Sequence, residues 1–324
     1  MGDKKVDVSV IIVNWNTKEI LRDCLGSVYE QAGDVDFEVI VIDNASTDGS
    51  MEMIRSDFKK VVLLENAQNN GFAAANNQGG AVAKGRYVLL LNSDTVVLDG
   101  AIAKTVGFAD AHPRAGVIGC RVLNPDRTLQ PTCFMFPSIL NMFLSSTYLY
   151  KLFPGSRFFG RELMTWWDRS DVRQVDVVTG CFMLVRQEAI DQVGAMDERF
   201  FMYAEETDWC YRFRKNGWEV MFTPVGEIVH LGGGSSRQVK SKMRLQLSGS
   251  ILLFFRMHRG RGQYALACLC TAFFFLFRVP YWLAKGIISR KTRNLSLSTV
   301  RTYILGFVLS FAGWRGLSVN RKGE

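Results

Sequence analysis

Cysteine occurs in a number and spacing that exclude its usual structural uses. The 324 residues carry seven cysteines, an odd count, with no C-x-x-C pair anywhere, so neither a disulfide framework nor a zinc knuckle is written into the chain and a reducing compartment is expected. No G-x-G-x-x-G follows the first apolar run, which excludes the classical dinucleotide fingerprint. The stretch Gly80 to Arg86 (GAVAKGR) lacks the Lys-Ser/Thr ending of a phosphate loop and leads into a strand instead of a helix. No fixed-period repeat points to a solenoid. Acids are all but absent from one end: residues 240–324 hold 15 Lys and Arg against Glu324 alone, a net of +14, whereas residues 1–239 hold 24 against 30, a net of −6, giving the whole chain +8.

What is present is a globular composition, 48% hydrophobic and 22% charged, at a length that suits one large or two ordinary domains. The charge split suggests the division: an acidic body over 1–239 and a basic tail over 240–324. The tail also carries the most apolar stretches, Tyr264 to Phe277 (YALACLCTAFFFLF) and Tyr303 to Trp314 (YILGFVLSFAGW). Basic and apolar together favour an anionic membrane surface over nucleic acid, because a nucleic-acid tail has no use for long runs of Phe and Leu. A spanning helix needs about 20 apolar residues. Tyr264 to Ile288 reaches that only by tolerating Arg278, Pro280 and Lys285, and the second run falls short. The tail is therefore expected to lie in or dip into the interface, with Arg256, Arg259, Arg261, Arg290, Lys291 and Arg293 snorkelling to phosphates. The other reading is a helical hairpin buried against the body or against a second subunit, which would make the chain a homodimer. The N-terminus, with Asp3 and Asp7, runs straight into a strand and does not read as a signal peptide, so the body is expected to be cytoplasmic.

Along the body, strand and helix signals alternate. Val8 to Val13 is a continuous apolar run of the kind buried on both faces. Thr17 to Gln31 is helical, with an apolar stripe of Ile20, Leu21, Cys24 and Val28 and with Thr17 as N-cap. Strands follow at Glu38 to Ile42, Val61 to Leu64 and Tyr87 to Leu91, with helices at Gly49 to Phe58 and Phe72 to Ala83 between them. This rhythm predicts an α/β fold with a doubly wound, mostly parallel sheet, whose ligands sit beyond the carboxyl ends of the strands.

Those strand ends are polar. Strand one empties into Asn14-Trp15-Asn16, strand two into Asp43-Asn44-Ala45-Ser46-Thr47-Asp48-Gly49, and strand four into Asn92-Ser93-Asp94. Ser46, Thr47 and Gly49 read as turn formers. Asp43 and Asp94 follow strands buried on both faces, where an unpaired carboxylate is costly, so they read as functional. With no phosphate loop, a divalent metal held by a carboxylate is the simplest way to neutralise a phosphate here.

The second half supplies partners. Residues 180–186 read as a strand and Gln187 to Val193 as a helix. Then Phe200 to Tyr203 (FFMY) leads into Glu205, Glu206 and Asp208 at the start of a further helix. On a helix Glu205 and Asp208 share a face while Glu206 points about 100° away, so at most two enter one site. Acids in a first turn complement the helix dipole; the aromatic setting here adds the prospect of acid-base chemistry. Glu219 to Thr223 and Ile228 to His230 read as two strands. His230 then opens onto a glycine-rich loop, Gly232 to Ser236, a place for a metal ligand beside a mobile or closely approached backbone.

The ordered set VSVIIVNWN, VIDNASTDGS, NNGFAAANNQGG, YVLLLNSDTVV, TGCFMLVR, MDERFFMYAEETDWCYR and HLGGGSS resembles the family 2 glycosyltransferases of GT-A fold, over roughly residues 8–236, and within them the bacterial rhamnosyltransferase-like branch. The tail is similar to the membrane-associating helical extensions that some of these enzymes carry. The resemblance implies inverting transfer of a sugar, L-rhamnose from dTDP-rhamnose in the first instance, from a nucleotide diphosphate to a polyprenyl-diphosphate-linked glycan, at the cytoplasmic face of a bacterial inner membrane, in cell-surface polysaccharide synthesis. Galactofuranose or N-acetylglucosamine from a UDP donor, or a non-catalytic nucleotide-sugar-binding subunit, are the competing readings. Asp43 matches the acid that contacts the nucleobase, and Asn14, Asn44, Asn76, Asn92, Ser93 and Asp94 fall on the donor side. Asp94 matches the last acid of the D-x-D motif and His230 the histidine that joins it on Mg²⁺ or Mn²⁺, while Asn92 stands in place of the first acid. In the E-D-x-D motif of the general base, Glu206 replaces the commoner Asp, which leaves Glu206 and Asp208 as candidates with Glu206 preferred.

Overall fold

The computed structural model describes residues 6–232, 240–289 and 292–312; the glycine loop beyond Gly232, Arg290, Lys291 and Trp314 lie outside them. In chain order the body contains β1 (Val8–Asn14), α1 (Lys18–Gln31), β2 (Phe37–Asp43), α2 (Ser50–Asp57), β3 (Val62–Glu65), α3 (Phe72–Val82), β4 (Tyr87–Asn92), β5 (Thr95–Leu98), α4 (Ala101–Ala111), β6 (Ala115–Leu123) and β7 (Cys133–Phe134). Two helices follow, α5 (Ile139–Thr147) and α6 (Leu149–Leu152). Then come β8 (Arg173–Gln174), β9 (Val177–Val178), β10 (Phe182–Arg186), α7 (Gln187–Val193), α8 (Glu205–Lys215) and β11 (Glu219–His230). The last helices are α9 (Lys240–His258), α10 (Arg261–Leu276), α11 (Val279–Ile288) and α12 (Arg293–Ala312).

The chain forms two compact units. The first comprises residues up to Phe136, Arg161–Phe201 and Glu205–Ser235. Its main sheet runs β3-β2-β1-β4-β10-β6-β11-β5, with β8 beside β11. The first four strands are parallel, as the alternating rhythm predicts. β10 then runs antiparallel to both β4 and β6, and β5 and β8 run antiparallel to β11, so the second half of the sheet is mixed. Period-two alternation sorts the strand residues between two cores. Val10, Ile12, Leu89 and Leu91 face Leu21, Leu25 and Val28 of α1 and Ile102 of α4. Ile11, Ile40, Ile42 and Leu90 face Ala73 and Ala75 of α3 and Trp209 and Phe213 of α8. A sheet covered on both faces explains why its central strands read as unbroken apolar runs.

The two strands expected over 219–230 are one, β11. Its register against β6 slips between Phe222 and Glu227, so the ladder is interrupted around Pro224, which has no N–H to give it. That irregularity is what divides the sequence signal. β11 then continues to pair with β5, placing His230 opposite Thr95.

The second unit gathers Pro137–Gly160, Met202–Ala204 and the chain from Ser236 onward. Its small core holds Leu245, Phe275 and Tyr303. Arg278 ties α10 to the α5 segment: its guanidinium donates to the carbonyls of Phe274 (2.9 Å) and Ser146 (2.6 Å) and lies 3.8 Å from the Phe274 ring centroid. On α9, Ser250 Oγ donates to the Met202 carbonyl at 2.9 Å. Two segments, Arg261–Ile288 and Arg293–Ala312, are long and apolar enough to cross a membrane. For the second this differs from the expectation, because helix α12 begins ten residues before the apolar run at Tyr303 and recruits Leu295, Leu297 and Val300 to its length.

Candidate active site

Parallel pairing sets the carboxyl ends of the strands level: Asn14 lies opposite Asp43, and Val13 opposite Asn92. Their polar side chains form one buried network. Asn14 Nδ2 donates to Asp43 Oδ2 (2.8 Å) and to Ser46 Oγ (3.0 Å), while Asn14 Oδ1 accepts from Thr17 Oγ1 (2.6 Å). Asp43 Oδ1 accepts from the Ser46 amide (2.7 Å). Thr17 Oγ1 also reaches Ser93 Oγ at 3.1 Å. Thr17 thus makes no side-chain cap on α1; its hydroxyl joins the ends of β1 and β4. Ser46, expected to be a mere turn former, accepts from both Asn14 Nδ2 and the Asn16 amide (2.9 Å) and so locks two strand ends together. These bonds satisfy a carboxylate that has no room for solvent.

Asn44 and Asn76 sit apart from this network. Asn44 Nδ2 donates to the Gly71 carbonyl (3.1 Å) and its Oδ1 accepts from Asn66 (2.9 Å), pinning the loop before α3. Asn76 donates to the Phe72 carbonyl one turn back on its own helix (2.9 Å). Gly71 has φ +84, and a Cβ there would come within 2.3 Å of the Phe201 carbonyl, so only glycine fits where this loop meets the aromatic run before α8.

Where β5 begins, four polar side chains meet: Asn92, Asp94, Gln130 and His230. His230 Nε2 lies 3.1 Å from Asp94 Oδ1 and 3.2 Å from Asn92 Nδ2. His230 Nδ1 lies 2.6 Å from Gln130 Oε1. Gln130 Nε2 is engaged with Asn124 Oδ1 (2.8 Å) and the His230 carbonyl (3.2 Å), which orients the amide. Nδ1 therefore carries the proton, and Nε2 turns its lone pair toward Asp94. An imidazole nitrogen and a carboxylate oxygen this close can share a proton or act together on one cation. Two neighbouring ligands of an octahedral Mg²⁺ or Mn²⁺ at 2.0–2.1 Å would stand about 3 Å apart, which matches the observed pair. Gln130 thus sets the tautomer and orientation of the His230 ring. Among the described residues no group of three or more His, Cys, Asp or Glu that could hold a metal ion is present.

The three acids of α8 divide sharply. Asp208 is fully buried and its Oδ2 accepts from Arg212 Nε at 2.8 Å; the same guanidinium donates to the carbonyls of Val193 and Ala195, so this pair anchors α8 to α7 and the chain after it. Glu205 and Glu206 each keep a buried Oε2 with no hydrogen-bond partner. Burial drives both carboxyls up, Glu205 well above its usual range and Glu206 to about 7. Glu206 retains some exposure. Burial also pushes the Cys181 thiol up to about 11, and the charges of Asp94 and Glu206 both add to that rise.

The polar network and the Asp94–His230 pair thus occupy the carboxyl edge of one sheet. The model of glycosyl transferase family 2 matches residues 9–194, more than half of the chain. The chain belongs to that family. Its fold is the GT-A fold. Among curated relatives of this family 2 enzyme, the N-acetylglucosaminyl-diphospho-decaprenol L-rhamnosyltransferase of Mycobacterium tuberculosis is 29% identical over 205 residues, 59% of this chain and 66% of that protein, just under two thirds of its length. The low-salt glycan biosynthesis hexosyltransferase Agl10 of Haloferax volcanii is 24% identical over 77% of this chain and 73% of its own. Among solved structures, the mannosyltransferase PcManGT of Pyrobaculum calidifontis, in complex with GDP-Man and Mn²⁺, superposes with a TM-score of 0.57 at 16% identity, covering 95% of this chain and 88% of its own. That likeness concerns the fold.

Gln130, Thr17 and Ser46 are the site residues that sequence reading missed. Thr17 and Ser46 carried a polar signal at a strand end. Gln130 carried none, since its role depends on a partner 100 residues away.

Proposed function

We propose that this family 2 enzyme catalyses inverting, divalent-metal-dependent transfer of a sugar, L-rhamnose from dTDP-rhamnose in the first instance, to a polyprenyl-diphosphate-linked glycan at a membrane surface. The observation that carries the reading is the 3.1 Å approach of Asp94 Oδ1 to His230 Nε2, together with a buried Glu206 Oε2 that has no hydrogen bond. Asp94 and His230 are the residues that would hold Mg²⁺ or Mn²⁺, and a bound ion would supply Lewis-acid neutralisation of a departing diphosphate. Asn92 lies against the His230 imidazole and Gln130 keeps its tautomer. Asp43, set by Asn14 and Ser46, forms the floor on which a nucleobase would lie. Glu206 is the general base: its Oε2 is free of hydrogen bonds and its elevated pKa suits proton abstraction from an acceptor hydroxyl near neutral pH. Asp208 is held by Arg212 and serves α8 as an anchor.

The lipid-linked acceptor and the rhamnosyl donor rest on the printed activity of the mycobacterial relative and on the acid-free, apolar tail. Incubation with dTDP-, UDP- and GDP-sugars, with and without Mn²⁺, and detection of the released nucleoside diphosphate tests the donor. Release from a UDP-sugar alone would replace rhamnose with galactofuranose or N-acetylglucosamine, and release indifferent to chelation would overturn the metal reading.

A further inference from the structure

In the second unit the α5–α6 segment carries a surface that the basic tail does not explain. Leu152 is 72% exposed, Phe143 57%, Phe158 53% and Phe153 52%. The opposite side of the segment is spent on packing: Asn141 and Leu144 are buried, and Ser146 is held by Arg278. Tyr148, at φ 56, turns the chain between α5 and α6, and the Arg278 guanidinium lies 5.1 Å from its ring centroid. Residues 137–160 contain no Asp or Glu; their only charges are Lys151 and Arg157.

We infer that residues 140–158 form a second membrane-docking element, internal to the chain, that seats its apolar side chains in an anionic bilayer. The inference rests on the membrane reading above and extends it to a segment within the span of the catalytic half of the sequence. Charge selects the occupant. Exposed Phe and Leu flanked by Lys and Arg match the boundary between acyl chains and anionic headgroups, where the cations reach phosphate while the rings enter the hydrocarbon. A second copy of this chain is a poorer match: the unit offers no acid over 137–160 or 240–312, so a self-complementary contact would set cation against cation.

The test uses the full chain and vesicles of equal parts phosphatidylcholine and phosphatidylglycerol. Flotation measures affinity, and carbene footprinting measures the exposure of Phe143, Leu152, Phe153 and Phe158. The expected results are a several-fold loss of labelling at these side chains on vesicle addition and about tenfold weaker flotation for Leu152→Ser combined with Phe153→Ser. Lys151→Glu with Arg157→Glu should weaken binding by about tenfold on anionic vesicles and leave phosphatidylcholine binding unchanged. Unchanged labelling together with unchanged flotation overturns the docking element while leaving the tail reading intact. A wild-type chain that ignores vesicles overturns both. Variants that change only the oligomeric mass by light scattering would assign the surface to a second copy and overturn the lipid proposal.

Discussion

The two units use apolar residues in opposite ways. In the first, Ile11, Ile12, Leu89 and Phe213 have no solvent exposure, and the polar groups at the strand ends bond to one another. In the second, Ile287 and Ile288 are each 82% exposed and Phe277 73%, although the stretch is as apolar as any strand. A sheet flanked by helices supplies its own apolar phase. Four helices and a short segment do not, and their outer faces stay exposed. Buried carboxyls show the same contrast in miniature. Asp208 is paired with Arg212, whereas Glu206 two residues earlier keeps a buried Oε2 without a hydrogen bond, the contrast on which the proposed base assignment rests.

The largest effect should come from breaking that smaller contrast. Glu206→Gln is expected to lower kcat by about 10²–10⁴-fold with donor binding by calorimetry unchanged; normal turnover would return the base to another residue. The same group sets a pH dependence. Its carboxyl is raised to about 7, and a general base works only when deprotonated, so activity should climb with pH through about 7 and be lost below it; a flat profile down to the ordinary carboxylate range would contradict the assignment.

Next in size is the Gln130 contact. Gln130→Leu removes the acceptor that holds the proton on His230 Nδ1 and should weaken activation by Mn²⁺ by about 10–100-fold, read as a rightward shift of the metal titration. A titration that superposes on wild type would strip Gln130 of that role.

The contrast between units is sharpened by a matched pair. Leu90→Ala, in the first unit's core, should cost about 2–5 kcal/mol in chemical denaturation. Ile287→Ser with Ile288→Ser should stay within about 0.5 kcal/mol of wild type yet weaken vesicle binding. Substitution is the cleaner cut here than truncation at residue 239, because truncation also removes the Ser250 hydroxyl bonded to Met202, three residues ahead of Glu205. The smallest effect belongs to Thr17→Val, which removes the hydroxyl shared between Asn14 and Ser93 and should cost about 1–2 kcal/mol in chemical denaturation.

Much of the fold was legible. The strands from Val8 to Asn92 were readable because each is an unbroken apolar run between polar turns, and α1 because its stripe has the helical period. The stretch from Thr95 to Thr179 was not. There β5, β7, β8 and β9 are two to four residues long, too short for any period to show, and α5 carries apolar residues on exposed as well as buried faces. Of the site, Asp43, Asp94, Glu206 and His230 were visible as polar residues at element ends. The different pairing of Glu206 and Asp208, between which the sequence left the base open with Glu206 preferred, was not, since it turns on Arg212 reaching one and not the other.

By itself the sequence determined the parallel first half of the sheet, the polar carboxyl edge and the charge asymmetry, because these follow from local periodicity and composition. The tertiary structure alone decided that His230 meets Asp94. That contact depends on β11 passing its irregularity at Pro224 and pairing with β5 in the register that sets His230 beside Thr95. Hydrogen bonds across a sheet are set by the partner strand as much as by the strand itself, and nothing within either segment names the other.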